Sequence, residues 1–198
     1  RKLKWFFIVQ KSLTYNKTFK DSVKFFKTKK VITLNRYTSG QASTVRKAIK
    51  FLKKNHTIIV HSCDLSFKIN FKEVKKKLKK HDVIVLTSKG TRHNFKNQSQ
   101  FSWVRKNFVS KDTEISLKKN FTKNKKNNRV LVGSFIFKNY KVLNESIKYI
   151  INNNLKIKNE YYLDCAASIS EKIGFKLGEI IVKKYQSWGS HSELKKFK

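Results

Sequence analysis

Four short segments combine carboxylates, hydroxyls, aromatic rings and glycine in patterns that suit phosphate or sugar chemistry. The first, Thr38-Ser39-Gly40-Gln41-Ala42-Ser43-Thr44, is rich in hydroxyls and lies between a predicted strand and a predicted helix. Gly40 would let the backbone approach a ligand closely, and the hydroxyls would bind phosphate or cap the helix. Taken alone, the segment fits a plain loop at a helix start better than a binding site.

The second segment, His61-Ser62-Cys63-Asp64, follows the apolar run TIIV. Open α/β sheets bind ligands beyond the carboxyl ends of their strands, so Asp64 is a candidate metal or substrate ligand. Mg²⁺ takes one or two carboxylates together with substrate phosphates. The alternative for Asp64 is a cap of the following turn, and for His61 we expect a structural role.

The third and fourth segments place acids beside aromatic residues and glycine. Asn159-Glu160-Tyr161-Tyr162-Leu163-Asp164 is predicted to open a helix, where acids are favoured by the helix dipole. Its carboxylates and rings also suit a sugar, accepting hydroxyl hydrogen bonds and packing on the ring. In the fourth segment, YQSWGSHSEL at 185–194, a strand is predicted to turn through Gly189 into a helix capped by Ser190 or Ser192.

Alternating elements must position these segments. Continuous apolar runs predict strands, and apolar residues at helical spacing predict helices, giving βαβαβαβ in the order 5–10, 18–28, 31–35, 41–54, 57–62, 71–80 and 82–87. This order predicts a mostly parallel sheet covered by helices. The second half adds strand-like runs at 102–109, 113–119, 129–138 and 175–182, and helices at about 140–153 and 160–173, the latter ended by Gly174. One α/β domain over residues 1–198 is the simplest interpretation.

The composition excludes several classes of protein. The chain has 198 residues, with 47 Lys and Arg against 12 Asp and Glu, a net charge of +35, and no Pro or Met. With 39% hydrophobic residues it is too apolar for a disordered chain, and no apolar run is long enough to span a membrane. The positive charge favours weak binding of nucleic acid, but Arg is scarce and no nucleic-acid-binding motif is present, so specific binding is not expected.

The two cysteines do not form a recognised sequence motif. Cys63 and Cys165 are far apart and lack the spacing of a zinc site or a redox pair. They are typical of buried thiols in a reducing compartment, which predicts a cytoplasmic protein.

In their order along the chain these segments resemble the sugar nucleotidyltransferases, the family of sugar-1-phosphate nucleotidylyltransferases. VITLNRYTSGQASTV, TIIVHSCDLSFKI, TEISLKK, RVLVGSFIFK, NEYYLD and YQSWGSHSEL are each similar to a segment that the family places at the corresponding point. The resemblance spans essentially the whole chain. It implies a Rossmann-like fold of the GT-A type, a mostly parallel mixed sheet between helices, with the family's first strand missing here.

The resemblance also implies roles for particular residues. Asp64 and Lys118 would be catalytic, Asp64 binding Mg²⁺ and Lys118 meeting the sugar phosphate, with Glu193 as a second metal carboxylate. The remaining implied residues would bind substrate: Thr38, Gly40, Thr44, Gly133, Glu160 and Asp164. The implied partners are a nucleoside triphosphate and a sugar-1-phosphate, with no membrane partner and a homo-oligomer left open. The implied reaction forms a nucleotide-sugar and releases pyrophosphate.

Departures from the family pattern keep two alternatives open. Leu117 and Lys119 replace an acid and a proline beside Lys118, Trp188 stands where other branches carry an acid, and His191 replaces a proline. The chain also begins at Arg1 without the Gly-rich phosphate loop of the family, so we expect a truncated domain that is inactive by itself. The alternatives are a non-catalytic binding or regulatory module of the same fold, and a basic nucleic-acid-binding protein.

Overall fold

The computed structural model describes residues 3–107, 112–121 and 128–195. Ten strands are formed by these residues: β1 (Trp5–Gln10), β2 (Lys29–Leu34), β3 (Ile58–Val60), β4 (Leu65–Lys68), β5 (Val83–Lys89), β6 (Trp103–Lys106), β7 (Thr113–Ser116), β8 (Arg129–Phe137), β9 (Leu177–Ile181) and β10 (Lys183–Ser187). The same residues form seven α-helices: α1 (Lys17–Lys24), α2 (Gln41–Ala48), α3 (Phe71–Leu78), α4 (Arg92–Lys96), α5 (Tyr140–Asn152), α6 (Leu163–Ser168) and α7 (His191–Leu194). This mixed α/β architecture is the predicted class.

Strand β8 is the spine of the central sheet. One edge of β8 pairs with β5 along most of its length, and β5 in turn pairs with β9 in parallel. The other edge is shared, because β6 pairs with the first residues of β8 and β3 with its last three. Strands β3, β5 and β9 therefore run in one direction with β8 antiparallel between them, which makes the sheet mixed rather than uniformly parallel.

Strand β5 packs against apolar residues on both faces of the sheet, which explains the unbroken apolar run in its sequence. Val83, Ile84, Val85 and Leu86 are fully buried, with alternate residues in two separate clusters. Helices α2, α5 and α6 supply the cluster on one face. Helix α3, with side chains from β4 and β10, covers the other. A strand buried on both faces needs apolar residues at every position, and this one has them.

The amino-terminal strand is less buried than its sequence predicts. Strands β1 and β2 form a separate parallel pair, with Trp5 on β1 39% exposed and its other residues half-buried. Aromatic contacts stabilise this pair, since the Phe26 ring lies 4.7 Å from the Trp5 ring and 5.0 Å from that of Phe7. The continuous apolar run WFFIV thus indicates an aromatic cluster here rather than a strand enclosed on both faces.

Several predicted elements differ at their ends, including the helix predicted over 18–28, which is α1 and ends at Lys24, and the strand predicted over 113–119, which is β7 and ends at Ser116. One strand and one α-helix were not predicted. Helix α6 begins at Leu163 instead of 160, because the backbone of Tyr161 pairs with a distant loop rather than with its own helix. The helix predicted over 41–54 is α2 followed by a single tight turn, Ile49–Phe51. Strand β4 and helix α4 were missed, while residues 108–109 of a predicted strand lie outside the described part of the chain.

Candidate active site

An opening in the central sheet lies where β3 and β6 meet along the same edge of β8. The carboxyl end of β3 points toward the start of β6, and neither strand pairs with β8 at Gly133. Gly133 has φ +73°, a left-handed conformation that favours glycine, and the β5–β8 register shifts beside it. The Ser62 hydroxyl, just past β3, donates to the Gly133 carbonyl at 3.0 Å. The strand irregularity therefore creates an opening lined by side chains.

A cavity of about 310 Å³ lies at this opening. Its lining combines two acids, one lysine, neutral polar side chains and two rings: Gln41, Ser62, Asp64, Gln100, Phe101, Ser102, Lys118, Leu131, Gly133, Tyr162 and Asp164. Four of the sequence-predicted residues, Asp64, Lys118, Gly133 and Asp164, are thus brought together here. The other five, Thr38, Gly40, Thr44, Glu160 and Glu193, are not among the lining residues.

Lys118 and Asp164 form the charged centre of the cavity. The Lys118 ammonium lies 3.7 Å from Asp164 Oδ2 and donates to the Gln100 carbonyl at 3.1 Å. The Asp164 side chain is 8% exposed and accepts a hydrogen bond from the Ser102 hydroxyl at 2.5 Å. The same ammonium lies 4.9 Å from the centre of the Tyr162 ring. A cation held in this way beside a polar cavity is suited to an anionic group.

Tyr162 places an aromatic ring and a hydroxyl at the cavity wall. Burial raises the pKa of the Tyr162 phenol, and the Glu160 carboxylate, which accepts its hydrogen bond, raises the pKa further. The phenol is therefore neutral at pH 7. Glu160 itself is exposed and reaches the cavity only through this phenol.

The hydroxyl-rich loop before α2 holds the segment that leads into α6. Tyr161 N–H donates to the Ser39 carbonyl at 2.8 Å, and Ala42 N–H donates to the Tyr161 carbonyl at 2.9 Å. Gly40 has φ +113°, and a Cβ there would lie 2.6 Å from Tyr161 N. This close approach gives Gly40 a structural reason to be glycine.

The hydroxyls of the same loop bond to one another. Thr38 Oγ1 and Thr44 Oγ1 lie 2.5 Å apart, and they lie 3.1 and 3.2 Å from the Gly40 carbonyl oxygen. Each hydroxyl has one proton, so one of them donates to the other, and the second donates to the carbonyl. No side chain of this loop caps α2. Thr38 and Thr44 therefore shape the loop, and their predicted contact with a ligand stays a prediction.

Asp64 lies against the turn that follows β10. Trp188 N–H donates to the Asp64 carbonyl at 2.7 Å, and a Cβ at Gly189 would lie 2.7 Å from Asp64 Oδ2. The Asp64 residue is exposed. Its carboxylate thus lines the cavity on one side and touches the glycine turn on the other.

Glu193 follows in α7 but is engaged locally. One of its carboxylate oxygens, Oε2, accepts from the Ser187 hydroxyl at 3.1 Å and from the Ser190 hydroxyl at 2.9 Å. The Ser190 N–H donates to the same oxygen at 3.1 Å, so Glu193 and Ser190 form a capping pair at the start of α7. Within residues 3–107, 112–121 and 128–195, no three His, Cys, Asp or Glu side chains group together as a metal site would require.

Two lining residues, Gln100 and Ser102, carried no signal that sequence reasoning could use, because they lie in a polar stretch before β6 with no motif. Their presence depends on the register of β6 against β8, where Leu131 N–H donates to the Ser102 carbonyl at 2.9 Å. Ser62 was not predicted as a site residue, but it lies in the second segment beside Asp64. Only the folded sheet brings Gln100 and Ser102 to Lys118.

The sheet order, the antiparallel spine and the opening at Gly133 define a sugar nucleotidyltransferase-like fold, as the resemblance predicts. A nucleoside-diphosphate-sugar pyrophosphorylase from Vibrio cholerae superposes with a TM-score of 0.76 at 15% identity, over 98% of this chain and 80% of that one. A putative glucose-1-phosphate thymidylyltransferase from Bacillus anthracis gives 0.63 at 17% identity, over 89% and 69%. The inositol-1-phosphate CTP transferase from T. maritima gives 0.64 at 12% identity, over 96% and 72%.

The likeness is one of structure rather than of sequence. No protein-family model matches the chain, and no curated protein matches it in sequence. In the part of the chain that the structure describes, every helix falls short of the length and apolar content needed to cross a bilayer.

Proposed function

We propose that the chain transfers a nucleoside monophosphate from a nucleoside triphosphate to a sugar-1-phosphate and releases pyrophosphate. The observation that carries this proposal is the cavity at Gly133, where the Lys118 ammonium and the Asp64 carboxylate line one polar space. Together with the nucleotidyltransferase-like fold, this pairing supports a site for two phosphate-bearing substrates. A polar cavity of about 310 Å³ is of the size that small ligands occupy.

At the sugar end, Lys118 binds the phosphate of the sugar-1-phosphate. Gly133 leaves backbone room for the sugar, and the Tyr162 ring offers a surface for it. Asp164 and Glu160 are the proposed acceptors for sugar hydroxyls, Glu160 through its contact with the Tyr162 phenol. Thr38, Gly40 and Thr44 act by holding their loop against Tyr161, which fixes the position of Tyr162.

Mg²⁺ fits Asp64 in part. An exposed carboxylate at a strand end is a ligand that the ion accepts when substrate phosphates complete its shell. Bound there, the ion would neutralise charge on the triphosphate. Glu193 fits less well as a second ligand, because its Oε2 already accepts three hydrogen bonds from Ser187 and Ser190.

The proposed reaction requires the chain to position two substrates and to supply charge, and it requires no covalent nucleophile. A phosphate oxygen of the sugar-1-phosphate attacks the α-phosphorus, a new P–O bond forms, and the bond to the β-phosphate oxygen breaks as pyrophosphate leaves. Lys118 holds the attacking phosphate, and Asp64 carries the negative charge that draws a cation to the triphosphate. Fixing two substrates in line supplies a large part of the rate acceleration.

Pyrophosphate release tests the proposal. The protein, both as the 198-residue chain and with any residues that its gene encodes before Arg1, is mixed with Mg²⁺, each common triphosphate and a panel of sugar-1-phosphates. We expect release with at least one pair, and a loss of about a hundredfold or more in Asp64→Asn. Asp21→Asn is the matched control, since Asp21 pairs with Lys24 on the exposed surface of α1. Failure of every pair to release pyrophosphate contradicts the proposal.

The engagement of Glu193 favours a second candidate, a binding or regulatory module that uses the same cavity without turnover. If the capping pair with Ser190 persists when ligands bind, the second carboxylate is absent from the site. A thermal-shift screen separates the two candidates. Stabilisation by a nucleotide or a sugar phosphate without pyrophosphate release supports the module.

Cys165 is buried as predicted, whereas Cys63 is exposed, so the prediction of a buried thiol was wrong for Cys63. Both are free thiols, which supports the proposal of a reducing compartment such as the cytoplasm.

A further inference from the structure

Ser102 connects the two charged residues of the cavity, although nothing in the sequence marked it. It precedes β6 and is 1% exposed, and its backbone carbonyl is bound by the Leu131 N–H of β8. Its side chain touches Asp164 on α6 and the backbone of Lys118 after β7. A buried serine fixed to the central sheet thus contacts both.

The Ser102 hydroxyl both donates and accepts a hydrogen bond. It donates its proton to Asp164 Oδ2 at 2.5 Å and accepts from the Lys118 N–H at 3.3 Å. A hydroxyl has one proton and two lone pairs, so its only donation goes to the carboxylate. Alanine at this position would leave both partners without this contact.

The hydrogen bond from Ser102 goes to the carboxylate oxygen nearest the lysine, so the hydroxyl and the ammonium compete for the same oxygen. The Lys118 ammonium lies 3.7 Å from the same Oδ2, which is longer than the 2.7–2.9 Å of a charge-assisted hydrogen bond. The ammonium donates instead to the Gln100 carbonyl at 3.1 Å and faces the Tyr162 ring. The ammonium is therefore attracted by the Asp164 carboxylate but makes no direct hydrogen bond to it.

The backbone of Lys118 also depends on this serine. Its φ is +52°, a left-handed conformation that is strained for a residue other than glycine. The bond from its N–H to Ser102 Oγ helps to hold this conformation, and with it the direction in which the side chain leaves the backbone.

We propose that Ser102 is a positioning residue that keeps the Lys118 ammonium available to a phosphate group in the cavity, by competing with it for Asp164 Oδ2 and by holding the Lys118 backbone. This inference rests on the proposed function, because it assumes a phosphate-bearing ligand at Lys118. Ser102 acts through its two neighbours and does not itself bind the phosphate.

The test is phosphate binding in a double-mutant cycle. Affinities for inorganic phosphate and glucose 1-phosphate are measured by calorimetry in the wild type, S102A, D164N and the S102A/D164N double variant. We expect S102A alone to weaken binding about tenfold, the cost of one hydrogen bond to a charged group. In the D164N background S102A should have a clearly smaller effect, because the competing carboxylate is gone.

Two further variants guard the result. S102T retains the hydroxyl and should restore most of the affinity. The control is S146A, which replaces a buried serine of α5 and should leave the affinity unchanged, because the Ser146 hydroxyl has no hydrogen-bond partner among the described residues. If S102A does not fold, S102C takes its place, since a thiol of similar size is a weak donor. A crystal structure of the variant supplies a readout without ligand. The Lys118 Nζ to Asp164 Oδ2 distance should contract to about 2.8 Å.

Each outcome distinguishes the inference from the proposed function. Wild-type binding that is unchanged in S102A, an effect of S102A equally large in the D164N background, or a distance that stays near 3.7 Å overturns the role of Ser102 and leaves the function standing. Binding that follows the expected pattern without pyrophosphate release overturns the function and leaves Ser102 its role. A wild type that binds neither phosphate ligand overturns the role of Ser102, while the function is overturned only when every substrate pair fails to release pyrophosphate.

Discussion

The guanidinium of Arg129 at the start of β8 donates to both carboxylate oxygens of Glu179 on β9. The contact from Nη2 to Oε2 is 2.6 Å, and Nε binds Oε1. The Thr87 hydroxyl of β5 donates to the same Oε1 at 2.6 Å. The Glu179 side chain is only 4% exposed, so these contacts form a buried ion pair that joins β5, β8 and β9 of the central sheet.

Breaking this pair should destabilise the protein strongly. Arg129→Met removes both guanidinium hydrogen bonds from the buried Glu179 carboxylate and leaves it the Thr87 hydroxyl and the more distant charge of Lys106, so we expect a loss of about 3 kcal/mol in the free energy of unfolding. Arg105→Met is the matched control, because its partner Glu114 is 31% exposed and such surface pairs contribute about 1 kcal/mol or less. Urea unfolding at pH 7 measures both. Equal losses in the two variants would contradict the prediction.

Gly40→Ala should cost more than alanine at a glycine with free space. A Cβ at Gly40 would lie 2.6 Å from Tyr161 N and 2.8 Å from Tyr161 O, and φ is +113°. Strain and collision together predict a loss of about 3 kcal/mol, with the loop displaced from Tyr161. Gly174→Ala, with φ +83° and no atom within 4 Å, should lose only about 1 kcal/mol. Thermal unfolding of both variants supplies the comparison, and a Gly40 variant as stable as the Gly174 variant would show that the loop moves freely.

The sequence predicted the elements whose pattern is local. Strand β5 follows from its continuous apolar residues, and α5 from apolar residues at helical spacing, with its start and end correct to within a residue or two. The start of α6 was wrong because Tyr161 bonds to Ser39, a partner far away in the chain. Strand β4 was missed because it is short and pairs only with β10, near the carboxyl end.

The residues of the candidate site also divide into those that the sequence could indicate and those that it could not. Asp64 could be proposed from a local pattern, because it follows an apolar strand beyond whose carboxyl end an open sheet is expected to bind ligands. Gly133 lies within β8 and was implied only by the family resemblance. Ser102 could not be predicted, since serine before a strand is common and its importance depends on which residues the sheet register sets beside it. Thr38 and Thr44 show the opposite case, because residues suited to phosphate are occupied with each other.

The two cysteines should differ sharply in reactivity. Burial, together with the adjacent Asp164 carboxylate, raises the pKa of the Cys165 thiol to about 11, whereas Cys63 is exposed. At pH 8 roughly one in a thousand Cys165 side chains would be thiolate, the reactive form. We expect a disulfide reagent to modify one thiol rapidly in the native protein and a second only after denaturation. Cys63→Ser should abolish the rapid phase, and a rapid phase that survives this substitution would place a reactive thiol at Cys165.

Asp82 should make a pH-dependent contribution to stability. Burial alone would raise the pKa of this carboxyl, but hydrogen bonds from the Lys176 N–H and the Lys138 ammonium, both 3.1 Å away, outweigh burial and lower the pKa below its ordinary 3.8. The folded state thus binds a proton less readily than the unfolded chain. The stabilisation is complete above the unfolded value near pH 4 and is lost as the pH falls toward the lowered folded pKa.

Asp82→Asn tests this dependence. The variant should be less stable than the wild type by about 1–2 kcal/mol at pH 7, because two hydrogen bonds to a charged group are weakened. The difference should stay constant from about pH 8 to pH 5 and shrink below about pH 4, as the wild-type carboxyl takes up its proton. Urea unfolding of both proteins across this range measures it, with Asp21→Asn as a control for an exposed aspartate. Since Asp82 joins β5 to the chain entering β9, a difference that persists undiminished to pH 2 would assign its contribution to shape rather than to charge.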